Sequence, residues 1–328
     1  MRWAVSAVLL VVAVVALMAL AFGEPAAVEP DGGVPQVPVE QALGPLDEVA
    51  ERAQRAFVAT DDFAALPQPG PSDWLALNEE APQTVAQYLE SEPNHPAAPR
   101  NVLYILPLGS MPAARGPTLD HLSRYARAFF RLEVKVLPTL DLQAGGVGQR
   151  EHHGSHQLNA TDIIDHMETL LPADAYCVIA VTWSDLYPDD SYNFVFGLAR
   201  LQARVGVFSF ARLHPDFYGE LAPSTDPGAV HRLVAKRALG VMSHEIGHMF
   251  GLPHCVHFAC NMNGSNHLEE SDRQPLHICP VCLRKLHAVL GFDPRQRYAE
   301  LEALYRELEQ PEAAAWVERR LSFIDTPD

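Results

Sequence analysis

Residues 226–262 read DPGAVHRLVAKRALGVMSHEIGHMFGLPHCVHFACNM, and the rest of the chain has to be arranged around them. Asp226-Pro227 starts a helix, with Asp as the cap and Pro supplying a preset φ in the first turn. At about 100° per residue, Leu239, Met242, Ile246, Met249 and Phe250 gather on one side of a helix running to about Phe250. His244 and His248, one turn apart, fall on the opposite side with Glu245 beside them. Gly251 stops the helix in the positive-φ conformation that glycine adopts most cheaply, and His254 returns toward the two imidazoles.

The spacing suits zinc. Two imidazoles one turn apart can take adjacent corners of a tetrahedron with bonds of about 2.0–2.1 Å, and His254 can take a third. The fourth corner is left for water, whose pKa such a site lowers to about 7. Glu245 is then the general base that accepts the water proton and passes it to a leaving amine. A bare H-E-x-x-H arises by chance on exposed helices; the extended H-E-x-x-H-x-x-G-x-x-H adds a stop and a third ligand at the right distance. Motif order makes Met262, in CNMNGS, the methionine of a turn beneath the metal, although a methionine alone is more often ordinary packing.

Cys255, Cys260, Cys279 and Cys282 form two short pairs, spaced for a closed structural zinc site that would tether the segment after the Met262 turn. Two disulfides are the rival arrangement, although the two-residue separation of Cys279 and Cys282 is poor for a structural disulfide. Zinc is expected twice per chain, once catalytic and once structural. His257, His267 and His277 are expected at the surface or supporting a site, and Cys177 reads as a plain core cysteine.

Upstream, short apolar runs alternate with helical stripes. NVLYILPLG from Asn101, LEVKVLP at 132–138, AYCVIAVTW at 175–183 and stretches near 193–199 and 204–212 read as strands. Helices are expected after Pro117 and from an Asn159 cap, with a Gly- and His-rich loop between 138 and 159. That order implies an α/β fold with a mostly parallel sheet and packed helices, over residues 99–293. Residues 47–98 read as an N-terminal lobe whose packing the sequence leaves open, with helices from Leu46 and over 82–91, and 294–328 as a C-terminal helical segment. The prolines of 24–46 predict an extended tether.

Residues 1–23 carry an unbroken apolar run behind Arg2. A signal peptide ending at Ala19-Leu20-Ala21 and a membrane anchor both fit, the small-residue pattern favouring the former. Arg2 before the run and Glu24 and Asp31 after it put the N-terminus in the cytoplasm, so either reading exports the main body. Against 24 Lys and Arg stand 41 Asp and Glu, a net charge of −17 that repels phosphate backbones, so no nucleic-acid partner is expected.

The string HEIGHMFGLPHCVHFACNMNGSNHLEESDRQPLHICPVC resembles the archaemetzincins, a metzincin-type family of zinc peptidases. NVLYILPLG, VKVLP, LNATDIIDHM, DAYCVIAVTWSDLYP, NFVFGLARL and GVFSFARLHP share the likeness, which spans about 95–292. The resemblance implies His244, His248 and His254 as catalytic zinc ligands, Glu245 as base, the four cysteines as structural ligands and Met262 as the Met-turn. It implies hydrolysis of peptides or small proteins, and a mixed twisted sheet whose antiparallel edge strand, around 193–199, docks substrate. Two departures stand out. Family members of this pattern are mostly soluble and intracellular, whereas this chain opens on an export or anchor signal. Some metzincins also have a tyrosine two residues after the methionine, where this chain has Gly264, and no cysteine between 24 and 95 could block the zinc. The alternative function is a zinc-bound peptide-recognition protein with weak or no catalysis, against which Glu245 argues; a purely structural zinc module would not need the open three-histidine set.

Overall fold

Proline and glycine punctuate the start of the chain, but they delimit a helix as well as loops. In the computed structural model, which describes residues 37–141, 146–222 and 224–326, α1 (Val39–Leu43) lies between Pro38 and a positive-φ Gly44 and buries Ala42 and Leu43. The tether expected over 24–46 is therefore helical at this point, because two apolar side chains reach the core; the run 1–23 lies outside the described residues. No helix among the described residues is long and apolar enough to cross a membrane.

The helix expected from Leu46 is only α2 (Glu51–Gln54) continuing as a 3₁₀ turn, Arg55–Phe57. After it come α3 (Trp74–Leu77) and α4 (Val85–Glu90), the latter opened by a Thr84–Gln87 capping box. Residues 47–98 share the main core through Val49, Phe57, Phe63 and Tyr88, and all described residues fall in one compact unit, Val34–Asp328.

Next come β1 (Val102–Leu108), α5 (Leu119–Phe130), β2 (Glu133–Val136), β3 (Gln149–His152), β4 (Ser155–Asn159), α6 (Ala160–Glu168), β5 (Ala175–Thr182), β6 (Asp185–Tyr187), β7 (Gly197–Arg200) and β8 (Val205–Ser209). The main sheet has the order β2-β1-β5-β8-β7, parallel throughout except for β7, which pairs antiparallel with β8 at one edge. Successive residues of β1 alternate between two cores: Leu103 and Ile105 face α5 and the long helix described below, and Tyr104 and Leu106 face α6. Cys177 is fully buried in this sheet and its thiol is pushed up by burial.

The second half of the Gly- and His-rich stretch, from Gln149, is strand and not loop. Residues His153 and Gly154, both at positive φ, close a hairpin of β3 and β4, and β4 pairs parallel with β6 in a second sheet. Its polar, half-exposed strands lack the apolar alternation that would reveal them, and the positive-φ turn uses His where Asn or Asp is usual.

After β8 the chain enters α7 (Pro227–Met249), capped by Asp226 through the amides of Gly228 and Ala229. It crosses beneath β5, β8 and β7 with Leu239, Met242 and Ile246 in the core. Short α8 (Leu268–Arg273), then α9 (Pro280–Leu290), α10 (Pro294–Glu307) and α11 (Pro311–Asp325) complete the chain, α10 packing on α11 and α5.

Candidate active site and metal centres

Helix α7 sets His244 and His248 one turn apart, as 3.6 residues per turn requires. Gly251, at φ 80°, turns the chain so that the ring of His254 lies 5.3 Å and 5.1 Å from theirs, centroid to centroid. Tyr88 and Tyr176 donate to the carbonyls of Phe250 and Met249, which holds the helix end in place. Each Nδ1 is held by an acceptor: Asn261 O at 2.9 Å for His244, Leu252 O at 2.7 Å for His248, and Glu80 Oε1 at 2.7 Å for His254. Acceptors on Nδ1 place the proton there, leaving Nε2 as a lone pair.

The donor set fits zinc. One nitrogen from each of the three imidazoles lies within 4.8 Å of the others, and the Nε2 atoms of His244 and His248 are 3.0 Å apart. Two zinc–nitrogen bonds of ~2.05 Å at the tetrahedral angle give ~3.3 Å, close to that separation. Burial and the neighbouring imidazoles hold His244 well below the usual histidine range and His248 down to about 4, so both stay in the neutral form a metal needs. Burial works against Glu80 ionising, but the hydrogen bonds from His254 and Trp74 and the charge interactions with His254 and His248 together outweigh it and hold its carboxyl low.

Glu245 is buried beside this set, and burial pushes its carboxyl up to about 8. No hydrogen bond to another described residue holds its carboxylate; instead it lies against Gly197 in β7, where a Cβ would come within 2.6 Å of Oε1. Met262 is buried beneath α7, its sulfur at 2.5 Å from where a Gly247 Cβ would stand.

The four cysteines come together in a second buried cluster, all Sγ atoms within 4.8 Å of one another. Cys255 and Cys279 Sγ are 3.6 Å apart, far from the ~2.05 Å of a disulfide and near the ~3.8 Å edge of a tetrahedron with ~2.3 Å zinc–sulfur bonds. Hydrogen bonds from the other three thiols hold Cys255 well below the usual thiol range, while burial and that charge push Cys260 and Cys279 well above it. Four thiolates cannot share this dry volume without a cation, so the donor chemistry fits a closed zinc site. Amides of Met262 and Cys279 point at Cys260 Sγ, at 3.5 and 3.2 Å.

Other histidines stay outside both clusters. His257 meets Gln83 O, His267 pairs with Asp73 and Glu269, and His277 stacks on Trp316. Sequence reasoning missed Asn261, Asn263 and Glu80. Asn261 carries the carbonyl for His244 and ties its own amide to Gly240 O and Ser243 Oγ; Asn263 braces the turn through Cys255 O, Phe258 O and the amide of Cys260. Two asparagines flanking Met262 were the available signal. Glu80 gave none, lying 174 residues from its partner.

Residues 163–288 match the family described as peptidase family M54. The chain is 38% identical to archaemetzincin-2 of Homo sapiens, over 74% of each chain, and 34% identical to archaemetzincin-1 of Mus musculus, over 71% of this chain and 52% of that one. It also aligns with the crystal structure of archaemetzincin from Archaeoglobus fulgidus complexed with malonate, at 29% identity and a TM-score of 0.43, covering 56% of this chain and 99% of that one. With its three histidines and Glu245 gathered on and after one helix, the chain belongs to the archaemetzincins, peptidase family M54, and is a zinc metallopeptidase.

Proposed function

We propose that this chain hydrolyses peptide bonds with Glu245 as general base, holding one zinc on His244, His248 and His254 and a second on Cys255, Cys260, Cys279 and Cys282. The observation that carries the reading is the convergence of three imidazoles whose Nδ1 atoms are all pinned, with an otherwise unheld buried carboxylate beside them. Zinc bound there supplies a Lewis acid for the peptide carbonyl and acidifies water. Glu245 takes a proton from the attacking water at its carboxylate and delivers it to the departing amine, the two transfers of a general base that then acts as general acid. Strand β7 offers its outer edge to an extended peptide, and Gly197 lets the backbone lie directly against Glu245. The buried cysteine cluster braces the loop that follows His254. The apolar run behind Arg2 further supports a body working outside the cytoplasm; its recovery from the soluble cytoplasmic fraction with Met1 retained would reject that.

Glu245→Gln tests the core of the reading. Zinc content should hold while turnover of a peptide library falls by ~10²–10⁴-fold, the usual worth of general acid–base help. Full activity in that variant with zinc bound would reject the mechanism, and a zinc-loaded wild-type chain that binds peptides without cleaving them would favour recognition over catalysis.

A further inference from the structure

His244 and His248 sit on a long helix and bond backbone carbonyls, whereas His254 lies beyond the helix stop and has only a side chain to orient it. That side chain is Glu80, which comes from the N-terminal stretch, is 19% exposed, and meets Nδ1 at 2.7 Å, which leaves Nε2 as the nitrogen free to take a metal. Glu80 is itself held: Trp74 Nε1 donates to the same Oε1 at 2.9 Å, and the indole stands edge-on to the His254 ring at 4.8 Å. The backbone of Trp74 is fixed in turn by Glu270, and its neighbour Asp73 by Arg273 and His267. The indole occupies the space over Gly264, where a Cβ would come within 2.4 Å of Cδ1. A tyrosine two residues after the methionine is thus sterically incompatible with this arrangement, and Trp74 takes its place.

We propose that Glu80, locked by Trp74, is the positioning residue for His254, fixing the tautomer and orientation of that ring as a carboxylate–imidazole pair. On this reading, which rests on the three histidines being the catalytic zinc site, residues 74–80 are a working part of the site and not a removable inhibitory segment. A carboxylate on the far nitrogen of a ligating imidazole strengthens metal binding, and its loss costs ~10–100-fold in affinity.

The test uses the full chain, as wild type, Glu80→Ala, Glu80→Gln and Trp74→Phe. Metal affinity of the histidine site is measured by chelator competition, with cobalt substituted for zinc so that its bands separate from the thiolate charge-transfer bands of the cysteine site. Melting of proteins with the cysteine site loaded and the histidine site left empty serves as the folding control. Glu80→Ala should bind ~10–100-fold more weakly with an altered cobalt spectrum and near-unchanged melting when only the cysteine site is loaded. Glu80→Gln, which keeps an acceptor without the charge, should fall between, and Trp74→Phe should weaken binding less than Glu80→Ala. Wild-type affinity and spectrum in both Glu80 variants would overturn the proposal, and so would peptide turnover rising in Glu80→Ala, which would mark a blocking segment. A wild-type chain taking up no metal at the histidines would instead sink the zinc reading itself.

Discussion

Replacing Gly197 with alanine isolates the base from the metal. Gly197 has no positive φ and already sits in strand β7, so alanine costs nothing in backbone conformation. It costs space, because the new Cβ would stand 2.6 Å from Glu245 Oε1, 2.8 Å from Cδ and 2.9 Å from Cγ. Ordinary contact begins at 3.4 Å, so the carboxylate must retreat from 2.6 Å by about 0.8 Å, or the edge strand must move outward by as much. A misplacement near ~1 Å in a reacting group costs ~10²-fold, equivalent to ~2.7 kcal/mol of barrier at ~1.36 kcal/mol per decade. Turnover of an internally quenched peptide should therefore fall by ~10²-fold in kcat, while zinc content by elemental analysis and the melting temperature stay close to wild type. An unchanged kcat with full zinc would refute the placement of Glu245 as base against β7. A rise in KM alone would also refute it, since that would mean the methyl group disturbs peptide pairing and leaves the base untouched.

Cys279→Ser should lose one zinc equivalent by elemental analysis and lower the melting temperature, because the cluster is buried and its metal binding is part of folding. His287→Phe bears on pH. Burial first, then Arg284, lowers the pKa of His287, so the unfolded chain binds a proton near pH ~6.5 that the folded chain refuses, and stability falls as pH drops below that value. His287 packs edge-on against Phe57 and Phe292 with a buried, unpartnered Nδ1, so the phenylalanine variant should have a higher urea midpoint and a flatter decline between pH 7.5 and 5.

What was legible in the sequence was local. Periodicity and one glycine were enough to bring His244, His248 and His254 together, because an α-helix and a positive-φ stop leave little freedom over eleven residues. The parallel strands were equally readable, since burial on both faces makes β1 and β5 continuous apolar runs. The hairpin of β3 and β4 was not, because its exposed polar faces carry no hydrophobic period. Nor was the role of residues 47–98: Glu80, Trp74 and Tyr88 act through contacts 160 residues or more away, and nothing in a local pattern records where a distant segment will dock.

The two clusters are joined by a single loop, and the joining is directional. His254 and Cys255 are adjacent; the amide of Cys255 donates to Met262 O at 2.7 Å, and the next carbonyl back, Asn261 O, receives His244 Nδ1. Asn263 ties the same turn to Cys255 O and Phe258 O, and Cys260 Sγ accepts the amides of Met262 and Cys279. Loosening the cysteine cluster therefore frees the Met262 turn, the carbonyl that orients His244 and the residue beside His254 at once. Loosening the histidines does no such thing in return, since His244 and His248 are borne by a helix whose capping and apolar face are independent of any metal. Damage should accordingly travel from the cysteines to the histidines and scarcely back, which is the relation expected where one metal site serves as the frame of the other.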